Sequence, residues 1–399
     1  MESVPNTEAA VIKITQKSEK KVLGQTTQVS VLPAIIPLML QHTNNLLGMV
    51  HLLDMRSCVH SQHVSRNQPI GLTLVDAYHS FQGFDSGIYT IIIAEKAFID
   101  EFNVIGARAG VIASMINLGN VIGNLFVAWW FIWLIGRRYT FVFGTLILLV
   151  GVALQAGARA FAMIIVGRII AGIGTATIGT NLAAYQAEVS SPLIRGRVVS
   201  FVQLSYQVGV LIAYCVGLGI QKMNGRMAWR TATSLQFIPG AILIVCAFTI
   251  PESPRWLLER HPEKPERALK ELGKVRRLPQ GDEAVQAEFF ELTAARQYRI
   301  DHGQNYSWKQ FLTKYAIWKR IAYGMATMAL GQISGIGALM LYGIDVFEGL
   351  GFSSATMSLL LNVVAGILSL AATLVTTGGV DKWGRRVTLI GGSALMVIR

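Results

Sequence analysis

The sequence predicts an all-α membrane protein with a six-helix N-terminal bundle, a helical linker and part of a second bundle. Three observations predict it. Of 399 residues, 52% are hydrophobic and only 15% charged, where a soluble domain carries about a quarter charged residues. Apolar stretches of the roughly 20 residues needed to cross a bilayer recur on both sides of one charged segment. Short basic motifs, Gly136-Arg137-Arg138 and Gly384-Arg385-Arg386, fall at the same place in each half, the signature of an internal repeat.

The elements follow in order. Residues 1–67 read as a polar, lysine-bearing cytoplasmic tail, because the apolar run Val31 to Leu40 is cut by Gln41-His42-Thr43-Asn44-Asn45 before it can span. No secretory signal core precedes it. In residues 68–250 six spans are expected. They cover Ile70 to Ala94, Ala109 to Phe131, Tyr139 to Ala158, Phe161 to Ala184, Val198 to Ile220 and Thr231 to Ile250. The first is unusually polar, with Asp76, His79, Gln82 and Asp85. In the fourth, Gly172, Gly174 and Gly179 let neighbouring backbones approach. Residues 251–319 place apolar residues at helical spacing among Lys, Arg and Glu, which predicts an amphipathic helical linker. Residues 320–399 hold spans seven (Ile321 to Ile344) and eight (Ala355 to Thr377) and the start of a ninth.

Composition also excludes. A net charge of +12 fits basic loops on the cytoplasmic side of a membrane. No nucleic-acid-binding motif accompanies it, so no nucleic acid partner is expected. Cys58, Cys215 and Cys246 lie far apart and suggest neither a disulfide framework nor a metal site. His60-x-x-His63 is not read as a metal site either. Gly172-x-Gly174 sits in a membrane-apolar helix with no strand before it, so it is not a nucleotide loop. No cofactor and no catalytic residues are expected; the chain is not read as an enzyme. Placing the N-terminus in the cytoplasm puts Arg137, Arg138, Arg195, Arg197, the linker, Lys382, Arg385 and Arg386 on that side. Lys222, Arg226 and Arg230 then fall in an outer loop, against the trend.

The residues expected to carry function are charged groups in or beside apolar helices. Arg168 is the one charge in the fourth span before Glu188, and such a charge marks a functional site by default. Asp85 lies roughly 13 Å inside the outer end of the first span and Arg168 roughly 10 Å inside the outer end of the fourth, so the two could meet. A carboxylate beside a guanidinium fits either a static ion pair or a site that takes up and releases a proton. At the cytoplasmic face, Arg137, Arg138, Glu188, Arg195, Glu252, Arg255, Asp381, Arg385 and Arg386 could form arginine–carboxylate latches. Uncharged hydroxyl-rich solutes call for amides and aromatic faces. Gln203, Gln207, Gln332 and Tyr342 are the candidates, Gln332 near the midplane. Amide–backbone bonding between helices is the alternative use of such glutamines.

Several motifs together resemble one family. Gly167-Arg168, Tyr185-x-x-Glu188, Arg195-Gly196, Pro251-Glu252-Ser253-Pro254-Arg255-Trp256, Gln332-x-Ser334-Gly335 and Asp381-x-x-Gly384-Arg385-Arg386 occur in the order seen in sugar porters of the major facilitator superfamily, most like the fungal hexose-transporter branch. The likeness covers about Phe81 to Arg399. It implies the major facilitator fold, alternating access, and a plasma-membrane, monomeric carrier of a monosaccharide-like solute. It also implies Asp85 and Arg168 as a proton-coupling pair and a salt-bridge network at the inner face. By resemblance Gln203, Gln332 and Tyr342 match substrate-site or gate positions. The chain departs from the pattern at Trp133, where the family has an acid, so the first-half latch is expected to be incomplete. It departs again at Gly331, Gly337 and Leu341, which puts ordinary glucose selectivity in doubt. A non-transporting sugar sensor and an inert, C-terminally truncated fragment are the rival readings. A chain without helices ten to twelve is not expected to transport by itself.

Overall fold

In a membrane each backbone polar group must be paired within its own segment, so long apolar runs become helices. The computed structural model describes residues 69–104, 107–189, 195–220, 223, 225–302, 315–333, 335, 337, 355–384, 387 and 390–394. The chain divides into the units Met1–Val64 and Ser65–Arg399, and the first lies outside the described residues. Among the described residues there are helices and no strands.

Helix α1 is Pro69–Ala94 and α2 is Lys96–Phe102. Helix α3, Ala107–Ile122, runs through a π-helical segment, Gly123–Ala128, into α4, Trp129–Ala156. Helix α5 is Phe161–Val189 and α6 is Arg195–Ile220. Two short helices, α7 (Arg226–Ser234) and α8 (Phe237–Thr249), stand where one sixth span is expected. The linker forms α9 (Pro254–Arg260), α10 (Pro265–Arg276) and α11 (Glu283–Asp301). Helices α12 (Tyr315–Ile333) and α13 (Ala355–Trp383) follow.

Four differences from the expected spans have physical causes. Pro239 lacks the N–H that would bond back to Leu235, so the sixth span breaks at Leu235 and Gln236. The second span continues to Gly136, whose φ of +87° bends α4 between the second and third. A π segment interrupts it where Gly123 lies against Ile173 and Ala176 of α5 and Asn124 accepts the Thr180 hydroxyl at 2.5 Å. The seventh span starts at Tyr315, inside the expected linker, and its described helix stops at Ile333 before Gly335, where φ is +79°. The ends of α5 and α13 run past the apolar stretches into charged sequence, to Val189 and Trp383.

Among the described residues, six stretches are long and apolar enough to cross a membrane: Ala107–Ala128, Trp130–Ala156, Phe161–Val189, Phe201–Ile220, Arg226–Thr249 and Leu360–Thr377. Their outward faces carry exposed Leu125, Phe126, Ile242 and Val245, a surface suited to lipid rather than water. Inside, Leu74, Tyr78 and Phe81 of α1 pack with Phe141 and Leu148 of α4, Ile178, Leu182 and Tyr185 of α5, and Leu243 of α8. Close approach sets the helix pairs. Gly83 of α1 and Gly209 of α6 each lie against the other helix's backbone, at Tyr206 and Ser80. Gly172 of α5 meets Gly119 of α3, and Gly174 meets Leu148 of α4, as small residues do in membrane bundles.

The linker helices have a small core of their own, Leu257, Leu258 and Ala268 with Trp256, Phe289 and Leu292 packed on it. Arg276 grips Glu288 with both arms, at 2.5 and 2.7 Å, and donates to the Val189 carbonyl at 3.2 Å. That bond ties α10 to the end of α5. Ser253 caps α9 by accepting from the Trp256 amide at 3.3 Å, with Pro254 at the first helical position.

Candidate functional site

Two charged centres lie at opposite ends of the helices. The first joins α1 and α5. Arg168 and Asp85 are 3% and 8% exposed, and Arg168 Nη1 lies 3.3 Å from Asp85 Oδ2 and 3.5 Å from Oδ1. The structure thus brings together the two residues whose depths matched in sequence. One turn beyond Asp85, Tyr89 places its ring 3.1 Å from the guanidinium carbon, a cation–π contact in a dry site. The Tyr89 hydroxyl donates to Gln155 Oε1. Gln155 Nε2 donates to the carbonyls of Gly151 and Gly167, each at 3.1 Å, so its amide orientation is fixed. Buried Gln236 lies against Asp85, and Arg168 Nε makes no hydrogen bond among the described residues. Tyr89, Gln155 and Gln236 were not singled out in sequence. Gln155 and Gln236 carried a signal as lone amides in apolar runs; Tyr89 carried none.

The second centre lies where Gly136 bends α4. Arg137 holds Glu188 of α5 through Nη2–Oε1 at 2.6 Å and Nε–Oε2 at 3.1 Å, a bidentate fork. Glu252 Oε1 accepts the Arg137 amide at 2.7 Å, and Oε2 accepts the Arg138 amide at 3.3 Å. Ser253 Oγ donates to Glu188 Oε2 at 2.6 Å, and Asn181 Nδ2 to the Arg137 carbonyl at 2.7 Å. A Cβ at Gly136 would meet Glu252 Oε2 at 2.9 Å and the Trp256 ring at 3.0 Å, so the bend admits only glycine. Burial pushes the Glu252 carboxyl above the ordinary glutamate value of 4.5, against the pull of the three backbone amides and the Arg137 charge. Arg138 donates to the Phe248 carbonyl at 2.6 Å. Arg255 is exposed and forms no ion pair among the described residues. The side chains of Arg195 and Asp381 lie outside the described residues, as do Arg385 and Arg386.

Trp133, the residue standing where an acid was expected, takes part by other means. Arg260 of α9 lies 4.3 Å over its ring, and Trp256 Nε1 donates to its carbonyl at 3.4 Å. The latch here is aromatic rather than ionic.

The candidate solute residues are less closely grouped. Gln203 is exposed and Gln207 half-buried on α6. Gln207 Oε1 is buried without a partner among the described residues. Gln332 is exposed on α12, whose described residues end at Ile333. No hydrogen bond joins it to Gln203 or Gln207 among the described residues. Tyr342 lies outside them.

This arrangement can be set beside known proteins. Residues 72–399 match the family described as "Sugar (and other) transporter". The chain belongs to this family. It is 30% identical to the MFS-type transporter criB of Aspergillus cristatus over 77% of the chain and 66% of that protein. It is 29% identical to the hexose transporter HXT10 of Saccharomyces cerevisiae, over 82% of the chain and 61% of the relative. It thus spans about three fifths to two thirds of the length of these curated relatives, which are carriers and not enzymes. The partially occluded, inward-open structure of the xylose transporter XylE from E. coli shares the fold, with a TM-score of 0.64 at 21% identity over 79% of this chain and 74% of that one. The chain is therefore a multi-pass, all-α membrane protein with the major facilitator fold.

Proposed function

We propose that the protein moves a monosaccharide-like solute across a membrane by alternating access, coupled to a proton carried on Asp85 and tuned by Arg168. One observation carries this reading. The Arg168–Asp85 contacts, 3.3 and 3.5 Å, are longer than the 2.7–2.9 Å usual for charge-assisted bonds, whereas the Arg137–Glu188 fork closes to 2.6 Å. A loosely held buried carboxylate can change partner and protonation state; a tight one latches. The H(+)/hexose cotransporter 2 of Parachlorella kessleri, 32% identical over 66% of this chain, supports coupling. So does the shared fold of XylE, a proton:xylose symporter. The latch around Arg137, Glu188 and Glu252 would hold one face closed and release during transport, with Gln203, Gln207, Gln332 and Tyr342 toward the solute. The N-terminus is placed in the cytoplasm and the chain in the plasma membrane.

Reconstituted vesicles with and without a proton gradient test the reading. Asp85→Asn is expected to abolish gradient-driven accumulation while solute exchange across the membrane continues. Accumulation that survives the substitution would remove Asp85 from the coupling role, and uptake indifferent to the gradient in the parent would remove coupling itself.

A further inference from the structure

Helix α1 carries a second carboxylate. Asp76 precedes Asp85 by nine residues, about 14 Å along the axis toward the Arg137 end. Its Oδ1 accepts the Ser205 hydroxyl of α6 at 2.8 Å. Ser80, one turn on, donates to the Ser205 carbonyl at 3.1 Å, so α1 grips the same serine twice. Among the described residues no cation pairs with Asp76; the described ion pair of α1 is that of Asp85.

His79 lies three residues beyond Asp76, on the same side of the helix. Its Nδ1 is 2.8 Å from the Val75 carbonyl. A carbonyl only accepts, so Nδ1 carries the proton and the neutral ring presents Nε2 as a base. Both Asp76 and His79 are half-buried, while Leu74, Val75, Tyr78 and Phe81 take the apolar face. Among the described residues, the titratable groups on elements packed against this half of α1 are Tyr185 of α5 and Cys246 of α8, while Tyr206 of α6 reaches Ser86 in the Asp85 half. Tyr185 is engaged with the Pro251 carbonyl at 3.2 Å. Arg195 and Arg197 begin α6, about 12–15 Å below Ser205 along its axis. At the far end, Asp100 and Glu101 of α2 and Arg226 and Arg230 of α7 surround the other terminus of α1, with Arg168 beside Asp85.

An ionised carboxylate in a membrane span without a cation is costly, and protonation is the ordinary way it is neutralised. We propose that Asp76, held by Ser205 and flanked by His79, is a second proton-binding site, separate from the Asp85–Arg168 pair. Release breaks the Asp76 O–H bond and passes the proton to water, leaving a carboxylate on the side of α1 that also carries His79. The site stands whether or not Asp85 couples transport.

Infrared difference spectroscopy of the detergent-solubilised chain tests it through the C=O stretch of protonated carboxyls. A band is expected at mildly acidic pH that is lost in Asp76→Asn and kept in Asp85→Asn. A band unchanged by Asp76→Asn, or removed entirely by Asp85→Asn, would overturn the proposal. If Asp76→Asn fails to fold, Ser205→Ala decides: the carboxyl loses its donor and the band must shift, and an unmoved band refutes the site.

Discussion

Arg168 and Asp85 are buried together, and their removal is not symmetric. Arg168→Ala leaves a carboxylate with no cation in a dry site, which costs about 3–5 kcal/mol. Asp85→Asn leaves a guanidinium still covered by the Tyr89 ring and able to donate to the amide oxygen that replaces the carboxylate, so the loss is smaller. Thermal unfolding in detergent should rank the parent above Asp85→Asn and Asp85→Asn well above Arg168→Ala; equal losses would show that the pair is not the main partner of either group. Glu252 makes a different prediction. Its carboxyl is raised by burial, so the folded state binds this proton more tightly than the unfolded one. The stability it contributes is complete below the unfolded value of 4.5 and is lost as pH rises through the raised folded value. Glu252→Gln keeps an acceptor for the Arg137 amide and removes the titration. The melting temperature should then fall less with rising pH above 4.5 than in the parent.

At the scale of elements, the end opposite Arg137 explains a loop that broke the sequence pattern. Arg226 and Arg230 share Glu101, at 3.2 and 4.0 Å, and Trp229 Nε1 donates to the same carboxylate at 3.1 Å. Trp229 is 1% exposed and meets the rings of Phe98 and Phe102 at 5.6 and 5.4 Å. Packing and charge can be weighed here. Trp229→Ala removes a buried aromatic between α2 and α7, worth about 3–5 kcal/mol. Glu101→Gln loses a pair in which Arg226 is 74% exposed, and exposed pairs contribute about 0–1 kcal/mol. Denaturation of the two variants should differ accordingly; a Glu101→Gln loss matching that of Trp229→Ala would make the ion pair the clamp. Hydropathy made the membrane helices legible, because lipid imposes both length and apolarity on them. The Glu101 cluster was not legible, since its members lie more than a hundred residues apart. The Pro239 break had a visible cause in the sequence, whereas the π segment depends on contacts of Gly123 and Asn124 with α5. Asp85 and Arg168 stood out as charges in apolar runs; Tyr89, which shields Arg168, resembles its apolar neighbours and did not. The charged residues Lys319 and Arg320 concealed the first turn of α12, which is described from Tyr315.

For the whole molecule, the distribution of basic side chains sets which face meets the cytoplasm. Helices α9–α11 and their turns carry ten Lys and Arg between residues 251 and 302, and Arg137, Arg138, Arg195 and Arg197 lie at the same end of the helices. The opposite loops carry Lys96, Arg108, Arg159, Lys222, Arg226 and Arg230. Lysine and arginine near span ends are retained on the cytoplasmic side, so the proposed orientation puts the Arg137 end inward. Arg226 and Arg230 do not weaken this, because Glu101 already engages both. Accessibility decides it. In a background where Cys58, Cys215 and Cys246 are serine, Lys96→Cys on α2 and Glu291→Cys on α11 each offer an exposed thiol. A membrane-impermeant maleimide applied to intact cells should modify the Lys96→Cys protein at once. The Glu291→Cys protein should react only after permeabilisation, because the linker that supplies most of the positive charge lies behind the bilayer. The reverse pattern would invert the molecule, and with it the face on which Arg137, Glu188 and Glu252 are proposed to act.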